Sequence, residues 1–317
     1  MRGRGARLRR HGIVSGIRHF IGLDAFEPTV LRHMIERAAE LKRTPETGQG
    51  ALAGKTLAMI FETPSTRTRI SFDVAMNKLG GRSIALSPGE LQLGRGESIG
   101  DTARVLSRYV DAVLLRTTSH DSLLQLVENA GVPIINGLTD RTHPCQLMAD
   151  VLTFEEQRGA IAGRRIAWLG DGNNMAATWI QAAAQFQFSL RLACPKAYAP
   201  QSEILEWALA RGADVALTAD VRQAVAGADC VVTDTWISMS DDAGKQKIEA
   251  LRPYQVNESV MADAAADAIF LHCLPAKRGF EVSEAVIESA QSLVFDEAEN
   301  RLHAQKAILL WCLAGDS

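Results

Sequence analysis

Residues 55–79, KTLAMIFETPSTRTRISFDVAMNKL, hold the fold in miniature. Lys55–Phe61 is a short, mostly apolar run rich in strand formers, the pattern of a strand covered on both faces. Thr66–Leu79 carries apolar residues at helical spacing. Between them Pro64 and Ser65 are residues favoured at a helix start. The stretch predicts a strand, a tight turn and a helix, the repeating unit of a parallel α/β sheet.

The same alternation continues along the chain. Arg82–Leu86, Asp111–Leu115 and Val132–Ile135 read as strands, with helical patterns over Ile99–Ser107 and Ser122–Glu128. A second series follows, with strands at Arg165–Leu169, Leu190–Ala193, Asp214–Leu217, Cys230–Thr233 and Ile269–His272. Helical patterns over Met175–Gln187, Ser202–Arg211 and Val221–Ala226 separate them, and Asp24–Arg43 and Ala298–Leu313 read as terminal helices. Alternation of this kind implies parallel strands with right-handed crossovers. The expected class is α/β, with two doubly wound parallel-sheet domains over residues 15–146 and 147–299. The helical pattern at His143–Arg158 is the expected bridge.

Composition agrees with this. A chain of 317 residues, 47% hydrophobic and 22% charged, is long enough for two domains with real cores. No stretch approaches the roughly 18–20 apolar residues of a membrane-spanning helix, so no membrane partner is expected. A formal net charge of −3 argues against nucleic acid as a partner. The five cysteines, at 145, 194, 230, 273 and 312, form no CxxC pair. That spacing argues against a disulfide framework or a structural metal, and favours a reducing compartment, the cytoplasm.

Residues 1–13 differ from the rest, with five arginines and no acid. A transit peptide and a nucleic-acid arm are two readings. The reading favoured by composition is a disordered basic extension over residues 1–14, or a gene start placed too early, the true one lying near Val14.

In open α/β sheets ligands sit beyond the carboxyl ends of the strands. There the first strand is followed by Ser65, Thr66, Arg67, Thr68 and Arg69 at a helix start. Early cations oppose the helix dipole, so two arginines in the first turn point to a bound anion such as phosphate. Gly54-Lys55-Thr56 fails as a P-loop, because Gln49 stands where a glycine is needed and the segment precedes a strand. Arg116 ends the third strand. His143 and Gln146, three apart at a helix start, can both donate to a carbonyl oxygen. In the second series Gly170-Asp171-Gly172-Asn173-Asn174-Met175 imitates a dinucleotide fingerprint. Met175 replaces its third glycine and no acid ends the next strand, so Asn173 and Asn174 read as ligands of a small molecule. Asp234, at the end of a strand, can hold an amino group. Cys273 has no base beside it in sequence and reads as a structural or substrate-touching thiol before a nucleophile.

Taken together these segments resemble the carbamoyltransferase family over about residues 16–313. Ser65-Thr66-Arg67-Thr68-Arg69 and His143-Pro144-Cys145-Gln146 are similar to its two carbamoyl phosphate motifs. Asp234-Thr235-Trp236-Ile237-Ser238-Met239, His272-Cys273-Leu274-Pro275 and Phe295–Arg301 resemble its ornithine branch. The resemblance implies that residues 15–146 bind carbamoyl phosphate, completed by a last helix over 300–317 that packs back on them, and that 147–299 bind ornithine. It implies Ser65, Thr66, Arg67, Thr68, Gln92, Arg116, His143, Gln146, Cys273, Leu274 and Arg301 at carbamoyl phosphate, with Gln92 reaching a neighbouring subunit's site. It implies Asn174, Asp234, Ser238 and Met239 at ornithine, and Arg67, Arg116, His143, Asp234 and Cys273 in the chemistry. One departure is Ser240, where the branch carries glycine in a loop that closes over ornithine.

The reaction so implied is attack of ornithine's side-chain amine on the carbamoyl carbon, giving citrulline and phosphate without metal or cofactor. Arg116, His143 and the Thr68 hydroxyl are the expected donors to the developing oxyanion. With no protein base in view, phosphate itself is expected to take the proton. A homotrimer or an assembly of trimers, working in arginine biosynthesis, is the expected context. Two alternatives stay open: transfer to another amine, such as an acylated ornithine or putrescine, and a non-catalytic paralogue. The latter is expected to have lost Arg67, Arg116 or His143, and all three are present.

Overall fold

The computed structural model describes residues 13–14, 16–87, 96–237 and 244–315. The chain forms two compact units, one running up to Ala149 and resuming at Asn300, the other spanning Asp150–Glu299.

The first unit begins with a small antiparallel ribbon, β1 (Ile13–Val14) and β2 (Ile17–Arg18), followed by α1 (Pro28–Arg43). Proline in the first turn of α1 needs no N–H partner, and Lys42 and Arg43 in its last turn suit the dipole. Leu31, Met34, Ile35, Ala38 and Leu41 are buried, the spacing of one helix face. Then come β3 (Thr56–Phe61), α2 (Thr66–Lys78), β4 (Arg82–Leu86), α3 (Ile99–Leu106), β5 (Ala112–Arg116), α4 (His120–Asn129) and β6 (Ile134–Leu138). Ser65, Ser98 and Ser119 cap α2, α3 and α4, each side chain accepting a backbone N–H three residues on. The sheet is parallel, in the order β4-β3-β5-β6. Its order reverses between β3 and β5, where Phe61 lies in register with Arg116.

The second unit contains β7 (Arg165–Leu169), α6 (Asn174–Phe186), β8 (Ser189–Ala193), α7 (Ser202–Leu209), β9 (Val215–Thr218), α8 (Val221–Val225) and β10 (Cys230–Val232). Its sheet is also parallel, in the order β11-β10-β7-β8-β9, with β11 at Ile269–Leu271. Here the order reverses between β7 and β10. Ala167, Leu169, Ala193, Val231 and Phe270 pack against Val225, Tyr254, Val282 and Val286 in one buried cluster. The divide between the units falls inside two helices, α5 (Pro144–Arg158) and α12 (Val294–Leu313).

Several elements depart from the sequence expectation. The first helix starts at Pro28, after a separate 3₁₀ turn at Leu23–Ala25. The last helix starts at Val294, four residues before Ala298. β6 continues past Ile135 through Asn136 and Gly137 to Leu138, with a register shift opposite Leu115 and Arg116. Asn-Gly normally marks a turn. Here the buried Asn136 amide donates to Ile21 O at 2.8 Å and its carbonyl accepts from Leu138 N at 3.0 Å, so a polar residue sits in a strand at no unmet cost. The short helices α9 (Gly244–Leu251), α10 (Glu258–Asp263) and α11 (Glu284–Ile287) are too brief to show a periodic signal. Among the described residues no helix is long and apolar enough to cross a membrane.

Candidate active site

In the first unit the site residues gather where the sheet order reverses. Ser65 Oγ accepts from Thr68 N at 3.4 Å, which starts α2 immediately beyond β3. Thr68 is buried, and its hydroxyl accepts from Arg301 Nη2 at 2.7 Å. Arg301 Nη1 donates to the Gln146 side-chain carbonyl, also buried. One guanidinium from α12 therefore ties the start of α2 to the start of α5. Of the two arginines in the first turn of α2, Arg67 is half-buried and Arg69 is exposed. Arg116 is half-buried at the end of β5, its backbone carbonyl accepting from Glu62 N at 2.9 Å. The Thr117 hydroxyl donates to Glu62 Oε2, which turns that acid's oxygen to a neutral partner.

His143 stands immediately before α5 and is buried. Burial, then the fields of Arg301 and Arg116, hold its imidazole well below the ordinary histidine range. At neutral pH the ring is uncharged, a hydrogen-bond donor that does not add to the positive charge around it. Cys145 beside it is pushed up to about 12 by burial and is an inert thiol.

In the second unit the corresponding reversal, between β7 and β10, holds a different chemistry. Thr233 Oγ1 donates to Leu169 O at 2.7 Å and joins the two strand ends. The glycines after β7 answer to packing. Gly170 has φ +116, and a Cβ there would meet the Trp236 indole nitrogen at 3.1 Å; one at Gly172 would lie 2.2 Å from the Pro200 nitrogen. Close backbone approach thus accounts for the residues that imitate a dinucleotide loop.

Asn173 caps α6, its Oδ1 accepting from Met175 N at 2.9 Å and Ala176 N at 3.2 Å. Asn174 is the first helical residue. Asp234 is buried, and Cys273 Sγ lies 3.2 Å from its Oδ1. Burial and then the Asp234 charge push the Cys273 thiol well above its usual range, so it is the donor in that contact. The loop carrying Cys273 is pinned on both sides. His272 N donates to Glu297 Oε2 at 2.8 Å, and Leu274 N donates to His272 Nδ1 at 2.9 Å. With Nδ1 accepting, the ring proton belongs on Nε2, which faces the buried Glu281 carboxylate at 3.4 Å. Leu274 itself sits at φ +55, in the left-handed region.

Asp234, His272 and Cys273 bring three ligand-type atoms within 4.8 Å of one another. In this arrangement both Asp234 oxygens and His272 Nδ1 already accept hydrogen bonds.

Ser65, Thr66, Arg67, Thr68, Arg116, His143, Gln146 and Arg301 thus belong to the first unit, and Asn174, Asp234, Cys273 and Leu274 to the second. Gln92, Ser238, Met239, Ser240 and residues 1–12 lie outside the described residues. Two features escape sequence reasoning. One is the inward turn of Asn173 toward Asp234. The other is the His272–Glu281 contact, for which a buried acid ten residues after a strand gives no local signal.

Two family models match the chain. Residues 18–156 match the carbamoyl-P binding domain of aspartate/ornithine carbamoyltransferase, and residues 162–312 match its Asp/Orn binding domain. An ornithine carbamoyltransferase of Agrobacterium fabrum is 54% identical over 298 residues, covering 93% of this chain and 98% of that protein. One of Brucella suis is 55% identical over 301 residues, covering 94% and 96%. The solved ornithine carbamoyltransferase of Pyrococcus furiosus superposes with a TM-score of 0.91 at 43% identity, covering 96% of this chain and 99% of that one. The structure described as the anabolic enzyme of Campylobacter jejuni superposes with a TM-score of 0.88 at 40% identity, covering 94% and 99%.

Proposed function

The chain belongs to the aspartate/ornithine carbamoyltransferase family, and from that premise we propose how its two strand-reversal sites divide the reaction. It is an enzyme that transfers the carbamoyl group of carbamoyl phosphate to L-ornithine, releasing phosphate and L-citrulline.

The first unit takes carbamoyl phosphate. Ser65, Thr66, Arg67 and Thr68, with the amides at the start of α2, hold the phosphate. Arg116, His143 and Gln146 face the carbamoyl group, and Arg301 fixes Thr68 and Gln146 in place. The observation that carries this reading is the buried His143 at the start of α5, with Arg301 fixed on Thr68 and Gln146; burial and the fields of Arg301 and Arg116 hold its imidazole well below the ordinary histidine range. As attack turns the carbonyl oxygen into an oxyanion, a neutral N–H and fixed guanidinia stabilise charge that the ground state lacks. The same arginines favour departure of phosphate.

The second unit takes ornithine, with Asn174, Ser238 and Met239 among its contacts. An alkyl amine has a pKa near ~10.4, so it arrives protonated and must lose that proton before attack. Asp234 holds the amine. Cys273 stays a protonated thiol and orients Asp234, which leaves the departing phosphate as the proton acceptor. A biosynthetic direction, a cytoplasmic setting and a homotrimer in which Gln92 serves a neighbour's site complete the proposal. The family motifs support the shared site, and the C. jejuni structure's anabolic description supports the direction.

Citrulline formation assayed with ornithine, putrescine, lysine, aspartate and acetylated ornithine side by side tests the assignment. Ornithine is expected to lead by at least an order of magnitude in kcat/KM. A lead by putrescine or acetylated ornithine would reassign the second substrate, with Ser240 the first residue to exchange for glycine.

A further inference from the structure

Asn173 does two things at once, and only an amide side chain can do both. Its Oδ1 accepts from two N–H groups of α6, at 2.9 and 3.2 Å. Its Nδ2 then points the other way and donates to Asp234 Oδ2 at 2.8 Å. The reverse orientation would set an NH₂ against two N–H donors and an oxygen against a carboxylate, so the network itself fixes which end is which. As a cap alone, serine or aspartate would serve about as well. Serine would offer no second arm, and aspartate would place a carboxylate against a carboxylate.

The other Asp234 oxygen is also taken. Oδ1 accepts from Thr235 N at 2.7 Å and lies 3.2 Å from the protonated Cys273 Sγ. An ionised carboxylate offers about four lone-pair positions. Three are occupied by donors rooted in three different segments, the start of α6, the loop after β10 and the loop after β11. The carboxylate plane is therefore locked, with one position left over among the described residues.

We propose that Asn173 is a positioning residue for ornithine: through its amide it locks Asp234 so that the lone pair left open among the described residues meets an amino group of the substrate, and it does not touch the substrate itself. This rests on the reading that Asp234 receives the amine.

The test uses the full-length enzyme and three variants, Asn173→Ser, Asn173→Asp and Asp234→Asn. Both Asn173 variants retain a capping oxygen, so Tm is expected to stay within a few degrees of the parent. Asn173→Ser is expected to lower kcat/KM for ornithine roughly 10- to 100-fold, the loss for a hydrogen bond to a charged group. KM for carbamoyl phosphate is expected to change less than about two-fold. Asn173→Asp sets two carboxylates in hydrogen-bond contact, and such a pair shares one proton up to a raised pKa. Its ornithine kcat/KM is expected to approach the parent's at low pH and fall away as pH rises through that shared value. In the Asp234→Asn background, Asn173→Ser is expected to have an effect under about two-fold, because the group it acts through has changed. A capping residue with no further role would shift Tm and leave the ornithine pH profile alone. Parent-like ornithine kinetics in both Asn173 variants, with Asp234→Asn disabled, would overturn the positioning role and leave the Asp234 reading standing. Parent-like ornithine kinetics in Asp234→Asn would overturn both.

Discussion

The two strand-reversal points are the same device with opposite electrical sign. In each unit a parallel sheet changes direction beside its first strand, β3 in one and β7 in the other, and a capped helix starts immediately beyond that strand. At the first reversal Arg116 and Arg301 stand around a neutral histidine, and Arg67 lies in the first turn of α2. At the second they carry a buried carboxylate held by an amide and a thiol. Topology supplies the place, a crevice no crossover covers. The residues supply the sign, cationic at one pole and anionic at the other, which suits the first to an anion and the second to an amine.

The poles also differ in how they are held. Arg301 reaches Thr68 and Gln146 across most of the chain, through buried charge-assisted contacts. Asp234 is held by Asn173, Thr235 and Cys273, none more than 61 positions away in sequence. Replacing Arg301 should therefore give the largest effect of any single change. Arg301→Met leaves the buried Thr68 hydroxyl and Gln146 amide without their donor, at about 1–3 kcal/mol each. A stability loss of about 2–6 kcal/mol in urea unfolding is expected, together with loss of most carbamoyl transfer. Unchanged unfolding would show that the tie is not structural and would erase the contrast.

Arg67→Ala should separate binding from folding at the same pole. The side chain is half-buried at the start of a helix whose cap is Ser65, so Tm is expected to hold. A contact that strengthens as phosphate departs is worth about 1.5–3 kcal/mol, or roughly a 10- to 150-fold fall in kcat/KM for carbamoyl phosphate. Near-normal kinetics in a folded variant would remove Arg67 from the phosphate site.

At the second pole Cys273→Ser should cost less than about ten-fold in kcat, since a hydroxyl can still donate to Asp234. Loss of a true nucleophile costs on the order of 10⁶-fold. Inactivation on that scale would make the thiol a covalent participant.

The smallest expected effect is a null. With its pKa held well below 6.5, His143 stays uncharged at neutral pH and above and adds no inflection to kcat/KM for carbamoyl phosphate there. The sign for stability follows from the same shift. The unfolded chain protonates first as pH falls through about 6.5, so the stability that neutral His143 contributes is present above that value and is lost below it. An inflection near neutrality that vanishes in His143→Gln would break the reading.

Much of this was legible before any coordinates. The apolar runs from Thr56 to Phe61 and from Arg165 to Leu169 mark the two first strands almost to the residue, because a strand buried on both faces has no alternation to blur it. The helix start after β3, capped by Ser65, falls where Pro64 and Ser65 predict it. What stayed hidden were local features whose meaning is set by contact with distant segments. Asn136 and Gly137 look like a turn until Ile21 O is seen to accept from the asparagine. Asn173 looks like a ligand until its oxygen is found on α6 and its nitrogen on Asp234. Gly170 and Gly172 imitate a cofactor loop until Trp236 and Pro200 are found against them.

The bond from Arg301 to Thr68 spans 233 positions, and it sets an order of events during synthesis. Translation at about 5–20 residues per second separates the emergence of those two side chains by roughly 10–50 seconds. For the later part of that interval, the 155 positions after Gln146, the nascent chain displays the start of α2 and the start of α5 without the guanidinium that joins them. The segment Asp150–Glu299 is complete in sequence before the first unit can be, so the part of the enzyme made first is the part finished last.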